Sequence, residues 1–207
     1  MPDKGAVHVI DDDEAVRDSV AFLLAAAGIE ARTYESAEAF LDVLEAIKSG
    51  CVVTDVRMPQ MSGLELLQRI RRTHADLPVI VITGHGDVAL AVEAMKAGAA
   101  DFLEKPFDDE ALLAAVHAAI RRNGSGDSRD AERREFVHRI EALSGRERQV
   151  LEGLIAGHPN KIIAFDLGIS PRTVEIYRAN LMTKMQAASL SDLVRMALVA
   201  GLLPNRP

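Results

Sequence analysis

Residues 51–67 read CVVTDVRMPQMSGLELL. The run Cys51–Thr54 is short, apolar and rich in β-branched side chains, and it stops at Asp55, the signature of a buried strand. Ser62 then stands as an N-cap before a helical pattern from Gly63 to Arg72. Working outward, the same arrangement recurs. Asp11 and Asp12 follow AVHVI, Thr83 closes VIVIT, and Lys105 follows DFLE. Strand patterns over 7–10, 30–34, 51–55, 79–83 and 101–103 alternate with helix patterns over 14–27, 37–48, 63–72, 88–97 and 108–122. Gly28, Gly50 and Gly98 punctuate the helix ends. Five β-α units with right-handed crossovers predict a three-layer α/β sandwich. Parallel sheets of this kind place their ligand site at the carboxyl ends of the strands, so these polar residues converge on one crevice.

The chemistry of that crevice follows from its residue types. Asp11, Asp12 and Asp55 repel one another unless a cation lies between them, and their hard oxygens suit Mg²⁺. A carboxylate of this kind attacks phosphorus to form an aspartyl phosphate, with the metal neutralising charge on the transferring group. Lys105 supplies a point charge for one phosphoryl oxygen and Thr83 a hydroxyl for another. Asp13 reads as an N-cap for the first helix, and the competing reading of Phe102 is plain packing within a strand. His85 reads as a rim residue that tunes water access.

Charge divides the chain in two. Residues 1–123 carry 12 Lys and Arg against 21 Asp and Glu, a net of −9, whereas residues 124–207 carry 12 against 10, a net of +2. The overall −7 excludes indiscriminate polyanion binding and leaves the second part free to approach phosphates locally. Cys51 is the single cysteine, so no internal disulfide forms, and its place in a strand predicts a buried thiol. The sequence shows no secretory h-region and no apolar stretch of membrane-spanning length, which sets the expectation of a cytoplasmic protein without a membrane partner. The boundary falls in RRNGSGDSRD, residues 121–130, where Gly and Ser concentrate. The expected domains are 1–122, a partly helical linker 123–141, and 142–207.

Beyond the linker every signal is helical. Ser144 and Glu147 have capping-box spacing ahead of an apolar run to Ile155. A short helix fits 161–167, a third opens at Ser170 with Pro171 in its first position, and a fourth spans about 191–202. The loop GIS is short enough to set the second and third helices at a steep angle, which is the helix-turn-helix arrangement for reading a DNA major groove. Val174, Leu181 and Met185 mark the buried stripe of the third helix, leaving Arg172, Glu175, Ile176 and Ala179 toward the groove beside Thr173. Glu175 suits a cytosine amino group, and Ile176 and Ala179 suit thymine methyls. Lys161, Arg172, Arg178 and Lys184 are the candidate phosphate contacts.

The stretches VIDDDEAVRDSV, VVTDVRMPQMSGLELL and VITGHGDVALAVEAMKAGAADFLEKPF resemble the flavodoxin-like receiver domain of two-component response regulators. The resemblance implies Asp55 as phosphoacceptor and Asp12, Asp55 and the Arg57 carbonyl as direct Mg²⁺ ligands, with Asp11 acting through a metal-bound water. It further implies Thr83 as switch hydroxyl, Lys105 as the conserved-type lysine preceding a cis proline, and Phe102 as a rotating aromatic. LSGRERQVLEGLIAGHPNKIIAFDLGISPRTVEIYRANLMTKM resembles the all-α, four-helix DNA-binding domain of the LuxR and FixJ class. Many relatives carry His at the position of Tyr177 and basic residues at those of Glu175 and Ala179. Together the two resemblances imply a sensor histidine kinase, dimerisation on phosphorylation, binding to double-stranded promoter DNA of nitrogen-fixation regulatory genes, and RNA polymerase as a further partner.

Two other classes compete. A Mg²⁺-dependent aspartyl phosphohydrolase requires an acid/base aspartate two positions beyond its nucleophile, where this chain has Arg57, and a cap insertion that this chain lacks. A phosphorylation-independent interaction module would be expected to lose Asp55, Thr83 or Lys105, and all three are present.

Overall fold

The structure, a computed structural model, describes residues 5–84, 88–122 and 128–202; His85, the start of the linker and residues 203–207 lie outside the described residues. The chain divides into two compact units, residues 1–86 with 97–124, and residues 87–96 with 125–207.

The first unit alternates β1 (Ala6–Ile10), α1 (Glu14–Ala26), β2 (Ala31–Tyr34), α2 (Ala37–Leu44), β3 (Gly50–Asp55), α3 (Gly63–Thr73) and β4 (Val79–Thr83). It closes with β5 (Asp101–Glu104) and α5 (Asp109–Arg122). The five strands are parallel in the order β2-β1-β3-β4-β5. The chain therefore moves to one side of β1 and then returns to the other, so that a crevice opens beyond β1 and β3 where the winding reverses. Period-two alternation sorts the side chains between the faces. Val7, Val9, Cys51, Val53, Ile80 and Ile82 pack against Val20 and Leu24 of α1 and Leu112, Val116 and Ala119 of α5. On the opposite face His8 stacks on Tyr34, meets the edge of Phe40, and hydrogen-bonds the Tyr34 hydroxyl at 2.9 Å. Each fully buried Leu or Ile contributes about 1.5–3 kcal/mol by leaving water.

Local chemistry sets the boundaries. Asp13 caps α1 by accepting from the Ala15 amide at 2.9 Å, Ser36 caps α2, and Ser62 and Glu65 form a capping box on α3. The helix expected to reach Lys48 ends at Leu44. There the Ala46 and Ile47 amides fold back to the carbonyls of Val43 and Leu44 at 3.0 Å, an i,i+3 tightening that the helical periodicity does not register.

The second unit contains α4 (Val88–Lys96), α6 (Ser128–Glu141), α7 (Gly145–Ile155), α8 (Asn160–Leu167), α9 (Pro171–Met185) and α10 (Leu190–Val199). Sequence order sets α4 among the βα repeats, and packing groups it with this second unit. Ser144 and Glu147 form the expected capping box on α7. The turn between α8 and α9 is built from Gly168 in the left-handed region (φ +65°), then Ile169, then Ser170, which accepts from the Thr173 amide at 3.1 Å while Pro171 opens α9. Val174, Leu181 and Met185 are fully buried along α9. Truncating such a leucine to alanine costs about 2–5 kcal/mol, so this stripe holds the helix to the unit.

Candidate functional site

Strand register brings the acidic residues together. Ile10 of β1 lies opposite Thr54 of β3, so the next residue of each strand, Asp11 and Asp55, stands at the same level at the mouth of the crevice. Asp55 lies opposite Ile82, one position before Thr83, and Thr83 lies opposite Glu104, one position before Lys105. Adjacent strands thus end in step, and four residues from four strands share one rim.

Within that rim the Lys105 ammonium bridges two carboxylates, donating to Asp11 Oδ2 and to Asp55 Oδ1, both at 2.7 Å. Asp11 is 1% exposed and Asp55 is 7% exposed. The other Asp55 oxygen, Oδ2, accepts the Arg57 amide at 2.5 Å. Asp11 Oδ1 accepts the Asp13 amide at 2.9 Å, and Arg17 of α1 donates to the Asp11 carbonyl at 2.7 Å. Burial pushes the Asp11 carboxyl above its ordinary value, and the hydrogen bond from Lys105 offsets part of that rise. Lys105 is drawn down by its own burial and raised further by Asp11 and Asp55, so it stays protonated.

Thr83 and Phe102 are buried, and the Lys105–Pro106 peptide is cis, as the resemblance implies. Asp12 is exposed, and among the described residues no three Asp, Glu, His or Cys side chains converge as a closed metal-binding set. What the site offers a hard cation is two buried carboxylates held together by one ammonium, with the Asp12 carboxylate and the Arg57 carbonyl adjacent in sequence. That donor chemistry fits Mg²⁺, which keeps several waters and takes few protein ligands.

On α9, Arg172, Glu175, Ile176 and Ala179 are exposed, with Ile176 at 56%, and Lys161 is exposed on α8. Three further candidates already have partners inside the unit. Arg178 donates to Asn160 at 3.0 Å, the Thr173 hydroxyl shares a hydrogen bond with Ser170 at 2.8 Å, and Lys184 donates to Glu147 at 2.7 Å. Glu147 is 3% exposed, and Lys184 together with the Ser144 amide pulls its carboxyl down to about 2. The sequence signal at Glu147 was the capping box alone; its second partner lies 37 positions away and no local pattern announces it. Arg17 was equally unannounced, although its place on the turn of α1 facing Asp11 follows from helical spacing.

Comparison with known proteins follows this division. The model of the response regulator receiver domain matches residues 7–117, and that of the bacterial regulatory proteins of the luxR family matches residues 141–197. The chain is similar to the transcriptional regulatory protein FixJ of Azorhizobium caulinodans, 61% identical over 204 residues, covering 99% of this chain and 97% of that protein. It is 55% identical to the FixJ of Bradyrhizobium diazoefficiens over 98% of this chain and 99% of that one. The crystal structure of full-length FixJ from B. japonicum aligns with a TM-score of 0.57 at 55% identity, covering 97% of this chain and 98% of that one.

Proposed function

Because the chain belongs to the two-component response regulators, with a receiver domain followed by a luxR-family DNA-binding domain, we propose that it takes a phosphoryl group on Asp55 from a sensor histidine kinase and thereby activates transcription. The observation that carries this reading is the Lys105 ammonium held 2.7 Å from both Asp11 and Asp55. A buried carboxylate pair with a single ammonium, at the switch point of a parallel sheet, keeps a net negative charge that suits a divalent cation, whose charge would in turn let a phosphoryl group approach. The domains are those of the sequence reading: receiver 1–122, linker 123–141, and DNA-binding domain 142–207.

In the transfer an Asp55 oxygen attacks the phosphorus of a phosphohistidine. The P–O bond to Asp55 forms as the P–N bond breaks, and the imidazole leaves with the electron pair. Asp12, Asp55 and the Arg57 carbonyl would hold Mg²⁺, with Asp11 acting through water, and the ion would supply charge neutralisation on the transferring group. Lys105 exchanges its contact with Asp55 for a phosphoryl oxygen, and the Thr83 hydroxyl donates to another. Moving Thr83 and Lys105 biases the segments they begin and the setting of the neighbouring Phe102 ring, which is a two-state switch driven by a local charge. The receiver in this way catalyses its own phosphorylation and dephosphorylation.

The phosphorylated chain dimerises, places α9 of each copy in a major groove, and recruits RNA polymerase at the promoter. Nitrogen-fixation genes are the targets that the kinship with FixJ proteins implies. Cytoplasmic residence accords with these partners, and among the described residues no helix is long and apolar enough to cross a membrane. Treating the protein with acetyl phosphate and Mg²⁺ and then measuring intact mass, sedimentation and DNA retention tests the reading. The wild type gains one phosphoryl group, sediments as a dimer and retains DNA more tightly, and Asp55→Asn does none of these. A phosphorylated chain that remains monomeric and binds DNA unchanged would refute the activation step.

A further inference from the structure

Arg139 lies on α6, before the stretch that the luxR-family model matches, and it reaches the end of α9. Its guanidinium donates to the Met185 carbonyl at 2.7 Å and pairs with Glu135 one turn earlier. Met185 is the last residue of α9, where the final carbonyls have no partner within the helix. Two of the neighbouring carbonyls are satisfied locally. Gln186 adopts the left-handed region (φ +55°), its amide pointing to the Met182 and Thr183 carbonyls, and the Ala187 amide closes onto Met182 at 3.0 Å. The Met185 carbonyl receives the arginine. A cation at this end also complements the helix dipole.

The helix that carries Arg139 is itself fixed within the unit. Phe136 and Ile140 are buried. Arg195 of α10 donates to Glu132 and to Asp192, each at 2.8 Å, and its guanidinium lies 5.3 Å from the centre of the Phe136 ring. Arg148 of α7 donates to the Ile140 carbonyl at 3.1 Å. Helix α6 is thus anchored to α7 and α10 independently of Arg139, and Arg139 transmits that anchorage to the C-terminal end of α9.

We propose that Arg139 is a positioning residue for DNA recognition: it fixes the axial setting of α9 from a helix outside the luxR-family stretch, so that sequence selectivity depends on α6. The proposal rests on the reading of α9 as the helix that enters the groove. It separates two effects. A residue that contacts phosphate strengthens binding to every duplex and steepens the salt dependence. A residue that orients α9 strengthens binding only where base edges are read.

The test uses the full chain treated with acetyl phosphate and two probes, a duplex enriched from a random pool by the wild-type protein and a scrambled duplex of equal length. Arg139→Ala is expected to weaken the enriched duplex by about tenfold, the scale of a lost hydrogen bond from a charged group, and the scrambled duplex by less than about twofold. Arg139→Lys, which keeps a donor for the Met185 carbonyl, restores most of the selectivity. Glu135→Ala, which leaves that bond in place, stays within about twofold of the wild type on both probes. Amide resonances of Gln186 and Ala187 shift in Arg139→Ala and return toward the wild type in Arg139→Lys. Should Arg139→Ala fail to fold, Arg139→Met, which keeps the aliphatic stem and removes the donor to the Met185 carbonyl, takes its place with the same expected and overturning results. Loss of selectivity in both, equal loss on both duplexes, or unchanged selectivity in Arg139→Ala overturns the proposal. An Ile176→Ala arm reports on α9 itself: if that variant keeps the wild-type preference, it is the reading of α9 that has failed.

Discussion

Gly63 leaves no room for a side chain beside Asp55: a Cβ at position 63 would lie 2.1 Å from the Asp55 carbonyl oxygen and 3.1 Å from Thr54 Oγ1. The Gly63 amide also donates to the Val56 carbonyl at 3.0 Å, so the first turn of α3 is pressed against the end of β3. Gly63→Ala must push this loop outward and displace Asp55 from its neighbours. The expected loss is about 1–3 kcal/mol in urea unfolding, the usual range for overpacking, together with slower phosphorylation by acetyl phosphate. A variant with unchanged midpoint and rate would show that the loop relaxes without cost.

Lys105→Met removes the cation between Asp11 and Asp55 and keeps most of the side-chain volume. The two carboxylates then face each other uncompensated. At pH 7 the loss is expected to be on the order of 1–3 kcal/mol, below the value for a fully buried pair because Lys105 is partly exposed. Millimolar Mg²⁺ should replace the missing charge, so the melting temperature of the variant rises with added Mg²⁺ more than that of the wild type, and chelation reverses the gain. An equal response of both proteins would place the cation elsewhere.

Glu147 links acid stability to the second unit. Its carboxyl is lowered from 4.5 to about 2 in the folded chain by Lys184 and the Ser144 amide. The contribution is therefore complete above about pH 4.5 and is lost as pH falls toward 2. Glu147→Gln gives up that contribution at neutral pH. The stability difference between wild type and variant should be constant above about pH 5 and shrink as pH falls below it. Melting curves followed by circular dichroism check this, and a difference independent of pH down to about 2.5 would contradict it.

On α9, Ile176 is exposed and uncharged, whereas Arg178 is a cation tied to Asn160 at the start of α8. Ile176→Ala is expected to change the preference at one base position by on the order of tenfold and leave the salt dependence intact. Arg178→Ala should weaken binding to all duplexes and lower the salt slope by about one. Titrations on duplexes varied at single positions, repeated over a range of salt, separate the two.

Much of the receiver site was legible before folding because each member ends an apolar run. Asp11, Asp55, Thr83 and Lys105 stand at strand ends, and handed crossovers bring strand ends to one side of a parallel sheet. The stripe Val174, Leu181, Met185 was equally visible, since helical spacing separates a buried face from an exposed one. Partnerships between distant elements were not. Lys184 is a candidate phosphate contact in sequence and is paired with Glu147 in the fold; Arg139 falls in the partly helical linker and donates to the last carbonyl of α9. Such pairs depend on how helices pack, and nothing in a local window of sequence encodes that distance. The early end of α2 at Leu44 belongs to the same class, because a tightened last turn keeps the residue pattern of a helix.

Asp55 is the residue proposed to carry the phosphoryl group. Borohydride reduces an acyl phosphate and converts the aspartate that bore it to homoserine. Protein phosphorylated with acetyl phosphate in Mg²⁺, reduced, digested and sequenced by tandem mass spectrometry should show homoserine at position 55 alone. Homoserine at Asp11 or Asp12, or a phosphoryl group that survives on a serine or threonine while Asp55 remains aspartate, would contradict the account.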